Sequence, residues 1–375
     1  MTDTPAALGY RLPAEFEPQE AVWIGWPHNR DDWPGKFGPI PWAYTEMVRL
    51  LSQAQAVKIL VHDRAVRRDA VRRLERAGID LDSGRVEFIQ AANDRGWVRD
   101  SGPMWVVKDV QDDPEPVRLI DWRFNAWAKY DNWKLDDRIP RRIARKLGLK
   151  RWKPCYEVDG QPVRVVLEGG AIDVNGRGTL LTTEECLLSD VQGRNPGLGR
   201  EGTERVLAEY LGVRHVVWLD RGIVGDDTHG HVDDIARFVD PQTVVVAVED
   251  DPADPNYEIL QENRERLRTA TDQDGQALRV VELPMPEPIV FDGQRLPASY
   301  ANFVIANGLV VVPTFNDLAD RQALAILAKL FPDRQVIGLH AVDLVWGLGT
   351  LHCLTRDQPK GLSVGRGLEI EVEGP

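Results

Sequence analysis

A chain of 375 residues with 43% hydrophobic content can bury a sizeable core, and 28% charged and 7% aromatic residues argue against disorder. A formal charge of −13 suits neither a nucleic-acid nor a membrane partner and mildly favours a small cation. Three cysteines (Cys155, Cys186, Cys353) with no C-x-x-C pair give no disulfide framework and no cysteine-rich metal site.

Residues 1–18 lack a basic segment followed by an apolar one, and no run approaches the ~20 apolar residues of a membrane span. The expectation is a cytoplasmic protein with reduced thiols. VKILVH (57–62) reads as a strand. Val66, Ala70 and Leu74 then repeat at helical spacing between Asp63 and Ala77, with Gly78 as a stop, and VEFIQA (86–91) is the next strand. The pattern returns as GTLLTT (178–183), a helix over 202–212 and VRHVVWL (213–219). It returns again as GLVVVPTF (308–315), a helix over 317–331 and RQVIGLH (334–340). The repeat is architectural, without a fixed period. QDDPEPV (111–117) and DDPADPN (250–256) read as surface loops, and no long linker divides the chain, so one α/β domain spanning 1–375 is expected.

Four polar clusters lie where periodic segments meet turns, as catalytic groups often do. NDRGWVRDSGP (93–103) sets Asp100 before a Ser-Gly-Pro turn, where Arg99 offers an ion pair. LEGGAIDV (167–174) sets Glu168 before two glycines that allow close backbone approach. GDDTHGHVDD (225–234) holds His229, His231 and several aspartates. In a strand, His231 and Asp233 share a face. WGLGTLHCLT (346–355) ends a glycine-rich turn with a His-Cys pair. Cys353 is the candidate nucleophile. His352, on the opposite face of an extended segment, is a poor base. Cys155 and Cys186 read as small buried hydrophobes. A rival metal-hydrolase reading uses Asp226, His229, His231 and Asp233, but a third nitrogen ligand is missing.

Taken together, W-V-R-D-S-G-P, L-E-G-G, G-H-V-D and H-C-L-T, in this order across 14–359, resemble the agmatine deiminases of the guanidino-group-modifying pentein superfamily. The resemblance implies an α/β propeller of five ββαβ-type units and a small cationic guanidino substrate, agmatine. It implies hydrolysis to N-carbamoylputrescine and ammonia with no metal or organic cofactor, in an enzyme of a type that is often a homodimer. Arginine or peptidyl-arginine deimination and amidino transfer are alternatives that share the chemistry. By residue it implies Cys353 as nucleophile, His231 as acid and base, and Asp100 and Asp233 as guanidinium clamp. It further implies Glu168 as support near the histidine, and Trp97 as part of the amine pocket. The sequence departs from the common G-G-G-N-I-H-C form, with Leu348 for a glycine and Thr350 for the asparagine, and R-D-Q-P follows in place of a glutamine-rich run.

Overall fold

The computed structural model describes residues 4–110 and 113–361. Of the loop expected at 111–117, residues 111 and 112 therefore lie outside the described residues. Among the described residues, five mixed sheets follow one plan. An antiparallel strand pair is followed by a helix and then by a third strand parallel to the second. In the third sheet these are Asp173–Val174, Thr179–Thr183, the helix Gly199–Leu211 and His215–Leu219. The fourth has Ala236–Phe238, Thr243–Val248, the helix Asn256–Thr269 and Arg279–Pro284. In the fifth they are Val304–Ala306, Leu309–Thr314, the helix Leu318–Leu330 and Gln335–His340.

Two sheets carry an extra strand. The second holds Met104–Lys108, Val117–Ile120, the helix Ile139–Lys146 and Arg151–Trp152, with Tyr10–Arg11 added at its edge. The first is opened by the last described strand, Thr355–Pro359, which pairs antiparallel with Gln19–Gly25. Ala56–Val61 and Val86–Gln90 then continue it in parallel.

Local chemistry explains these elements. The buried strands are β-branched runs such as TVVVAV (243–248), every residue of which is buried. Asp63 caps the helix Arg64–Arg76 by accepting from the amides of Ala65 and Val66. Asp317 and Asp320 form a capping box on the helix Leu318–Leu330. Gly212 ends its helix at φ 70°, where a Cβ would be strained. The strands and helices expected from the sequence are all present, with ends shifted by a few residues. No helix among the described residues is long and apolar enough to cross a membrane.

Candidate active site

In four of the five mixed sheets, the segment before the opening strand carries the polar residues singled out in the sequence. Asp100 lies in the short helix Val98–Ser101, ahead of Met104–Lys108. Glu168 precedes Asp173–Val174, His231 and Asp233 precede Ala236–Phe238, and Cys353 precedes Thr355–Pro359. The remaining segment, ahead of Val304–Ala306, carries Asn302, which the sequence reading missed. The signal that finds Asn302 is its place in the repeat, two residues before its strand, as Cys353 is before its own.

Three of these segments meet at Gly170. A Cβ there would stand 2.5 Å from His231 Nδ1 and 3.1 Å from both Asp100 Oδ1 and Asp233 Oδ2. A Cβ at Gly169 would strike the Arg99 carbonyl oxygen. The two glycines thus let backbone wedge among the acids and Arg99. The Gly170 amide donates to Asp100 Oδ1 at 2.9 Å, and the Trp127 indole donates to Asp100 Oδ2 at 2.8 Å.

His231 is 1% exposed, with its Nδ1 3.9 Å from Asp100 and its Nε2 3.9 Å from Glu168. Both distances are ion-pair range rather than hydrogen bonds. Burial favours neutral imidazole. Asp100, then Cys186 and Glu168, outweigh burial and hold His231 well above the usual histidine range. Burial likewise favours neutral Glu168, but Arg194 and His231 hold its pKa at about 2. Arg194 Nε donates to Glu168 Oε1 at 3.0 Å.

Cys353 is buried, with Sγ 3.2 Å from Asn302 Nδ2, which donates to it, and 3.7 Å from Asp233 Oδ2. Burial and the negative charges of Asp233, Asp234 and Asp100 push its thiol well above the usual range, against the hydrogen bond from Asn302. Asn302 Oδ1 in turn accepts from the Thr350 hydroxyl at 2.7 Å and from the His352 amide at 3.0 Å. Thr350 therefore anchors the residue that supports the thiol. A Cβ at Gly349 would lie 3.1 Å from Sγ, while Leu348 sits at φ 67°, a conformation that suits glycine better.

The thiol opens onto a cleft of about 140 Å³ lined in part by Asp100, Trp97, Trp127, Tyr130, Trp346 and Leu348. Trp97 packs against Trp33 with ring centroids 5.3 Å apart and planes tilted by 31°. Trp127 reaches Asp100 from a left-handed turn in which Ala126, Trp127 and Ala128 have φ of 49°, 58° and 55°. Such residues cost free energy and persist where surrounding structure holds them. Nothing in the local sequence marks this turn.

Several expectations need correction. His231 and Asp233 are not on a strand; His231 immediately precedes the 3-10 turn Val232–Asp234, without a side-chain capping bond, and both side chains reach Gly170 through the fold rather than through alternation. Residues 351–354 form a turn instead of an extended segment. Arg99 does not pair with Asp100 but with Glu15 and Asp357, both at 3.0 Å. Cys155 is exposed, whereas Cys186 is buried beside His231 and Glu168. The rival Asp226–His229–His231–Asp233 metal set is not assembled. Asp226 accepts from the amides of Thr228, Gly230 and His231, and His229 Nε2 faces the Ser189 hydroxyl at 3.2 Å. The sets with ligand atoms close enough for an ion, among the described residues, are Glu168–Cys186–His231 and Asp233–Asp234–Cys353.

The sequence profile of the Porphyromonas-type peptidyl-arginine deiminases matches residues 11–359, and the chain belongs to this family. The agmatine deiminase of Pseudomonas aeruginosa LESB58 is 36% identical over 96% of this chain and 98% of its own. That of Ectopseudomonas mendocina is also 36% identical, with the same coverage. The solved agmatine deiminase of Enterococcus faecalis is 35% identical, with a TM-score of 0.85 over 96% of this chain and 98% of its own.

Proposed function

We propose that this protein hydrolyses the guanidinium of agmatine to N-carbamoylputrescine and ammonia, with Cys353 as nucleophile and His231 as acid and base. One observation carries the reading. Around Gly170, buried charged side chains from three sheets meet beside a thiol, while Asp233 Oδ1 and Glu168 Oε2 have no hydrogen-bond partner. Buried acceptors without donors are costly, and a planar guanidinium supplies several N–H donors and the missing positive charge. Asp100 and Asp233 are the clamp, and Glu168 holds His231 charged.

The free thiol is neutral because acids surround it. Seating a cation among those acids offsets the repulsion, so substrate promotes loss of the thiol proton to solvent and leaves the thiolate that attacks it, with His231 still protonated. Attack on the central carbon gives a tetrahedral adduct. His231 gives its proton to one nitrogen, ammonia leaves, and an S-alkylthiouronium remains. Neutral His231 then takes a proton from the attacking water, and collapse of the second adduct releases the ureido product and Cys353.

The cleft wall favours agmatine over arginine. Arg95, which lines it, already donates to Asp32 at 2.6 Å and stacks on Tyr130 at 4.3 Å. An α-carboxylate would meet a cation that is already neutralised, whereas an alkylamine meets acidic and aromatic groups. Trp97 and Trp127 line the path of the methylene chain. The names of the related enzymes support the same substrate. We read the five sheets as a ring of five ββαβ-type units, a reading supported by the strand Thr355–Pro359 joining the first sheet.

Ammonia release from agmatine, arginine and a blocked arginyl peptide, measured in parallel with Cys353→Ser, tests this. Release from agmatine alone, abolished in the variant, is expected. Retained activity in Cys353→Ser, or loss to a chelator without loss to a thiol alkylator, would overturn it.

A further inference from the structure

Behind the site, away from the cleft, lies a second group of buried charges that the reaction does not touch. At its centre is Glu15, on the segment leading into the first sheet. Its Oε2 accepts from Arg99 Nη2 at 3.0 Å and Arg237 Nη2 at 3.1 Å, and stands 2.7 Å from His352 Nε2. Its Oε1 accepts from the Ile305 amide at 2.7 Å. The other ring nitrogen, His352 Nδ1, is 2.6 Å from Asp233 Oδ2. His352 is 1% exposed.

Ionised carboxylates only accept, so both contacts close as N–H···O bonds when the ring carries a proton on each nitrogen. The ring is then a rigid two-ended spacer between Glu15 and Asp233. It occupies one oxygen of Asp233 and leaves Oδ1 as the unpartnered one.

Glu15 has the same relation to the other site segments. Arg99 adjoins Asp100, donates through Nε to the His352 carbonyl at 3.1 Å, and donates through its amide to the Cys353 carbonyl at 3.3 Å. Arg237 donates to the Phe303 carbonyl at 3.0 Å, next to Asn302, which supports the thiol.

We infer that His352 and Glu15 are positioning residues, with His352 Nδ1 fixing the guanidinium-binding carboxylate of Asp233 and Glu15 fixing His352. The inference rests on the deiminase reading for its kinetic consequence, but the hydrogen-bonded chain is a property of the resting protein. The groups facing Asp233 are His352, His231 and Arg237, which favour its charge, and Asp234, Asp100 and Cys353, which oppose it. Burial works to raise the Asp233 pKa, yet the hydrogen bond and charge of His352, more than those of any other neighbour, hold it low.

Two substitutions separate the ends of the spacer. Asparagine places an amide donor near the position of Nδ1, so His352→Asn keeps the bond to Asp233 and gives up Glu15. Glutamine reaches the position of Nε2, so His352→Gln keeps Glu15 and gives up Asp233. Both replace an imidazole by an amide, so a general packing defect would affect them alike. With folding checked by circular dichroism and melting, His352→Gln should lose about 10- to 100-fold in agmatine kcat/KM, the worth of a charge-assisted hydrogen bond. His352→Asn should lose clearly less. Its acid limb of kcat/KM should move to higher pH, because the bond stays while a cation beside Asp233 goes. Proton NMR of resting wild type should show strongly deshielded imidazole N–H signals that vanish in both variants. Equal losses in the two variants, the reverse order, or no such signals would overturn the inference. A wild type that shows the signals but no turnover of agmatine would instead count against the deiminase reading and leave the spacer standing.

Discussion

Two neighbouring groups of buried charge meet at Asp233, and they are built on opposite principles. On the far side from the cleft, Glu15 faces Arg99, Arg237 and His352, and Asp173 faces Arg237. Each carboxylate there has a cation as partner, which works against the desolvation of the charge; for Glu15 the partners win, whereas for Asp173 burial still does. On the cleft side, Asp100, Asp233 and Asp234 surround a thiol, and the cations present are His231 and, behind Glu168, Arg194. There Asp233 and Asp234 each keep an oxygen without a donor. The first group is complete and serves as a foundation. The second holds more acids than cations, and a guanidinium supplies the positive charge it is short of. Burial alone does not distinguish a site from a scaffold; unsatisfied hydrogen-bonding capacity does.

The sharpest way to break this contrast is to fill the point where the incomplete group converges. Gly170→Ala puts a methyl 2.5 Å from His231 Nδ1, well inside van der Waals contact. Overpacking of this kind costs about 1–3 kcal/mol or more, and misplacing reacting groups by about 1 Å costs on the order of 100-fold in rate. We expect agmatine kcat to fall at least that far in a protein that still folds. Wild-type turnover would mean the acids do not converge as described.

A smaller effect tests the two groups against each other. Asp100→Asn removes a charge from the incomplete side and should lower kcat/KM about 10- to 100-fold, mainly through KM, as for loss of a charge-assisted contact. Asp357→Asn removes one partner of Arg99 in the complete group, at 15% side-chain exposure. It should lower the melting temperature with little kinetic change. Equal kinetic losses in the two variants would erase the distinction.

The mildest test leaves the chain intact. Burial and the surrounding acids raise the Cys353 pKa, so the thiolate at neutral pH is scarcer than for a free thiol. Iodoacetamide inactivation should therefore be slow near neutrality and still climb with pH beyond about 8.5, the ordinary thiol value. A rate that levels off below that value would mean that a cation already activates the thiol in the free enzyme.

Much of this is legible in the sequence. Alternating β-branched runs and helical spacing mark strands such as VKILVH (57–62), and turn-borne clusters mark Asp100, Glu168, His231, Asp233 and Cys353. What escapes depends on distance along the chain. Asn302 sits in ASYANF (298–303) with no reactive neighbour, and its meaning comes from the position it shares with Cys353 in the repeat. Glu15 acts on residues more than 80 positions away. Trp127 points at Asp100 because three consecutive residues adopt positive φ, which a sequence without glycine there does not announce. His352 looks idle on an extended backbone; the turn at 351–354 swings it behind Asp233 instead.

The pairing of Thr355–Pro359 with Gln19–Gly25 also has a meaning for how the molecule is made. The strand Gln19–Gly25 waits, with one edge open, for a partner that lies far along the chain, at Thr355–Pro359. At ribosomal rates of about 5–20 residues per second the interval is on the order of tens of seconds, during which that edge can seek other partners. Cys353, the proposed nucleophile, lies in the turn just ahead of that strand. On the proposed mechanism a nascent chain cannot turn over substrate before Cys353 is made, and the pairing that closes the first sheet also seats the turn that carries its thiol.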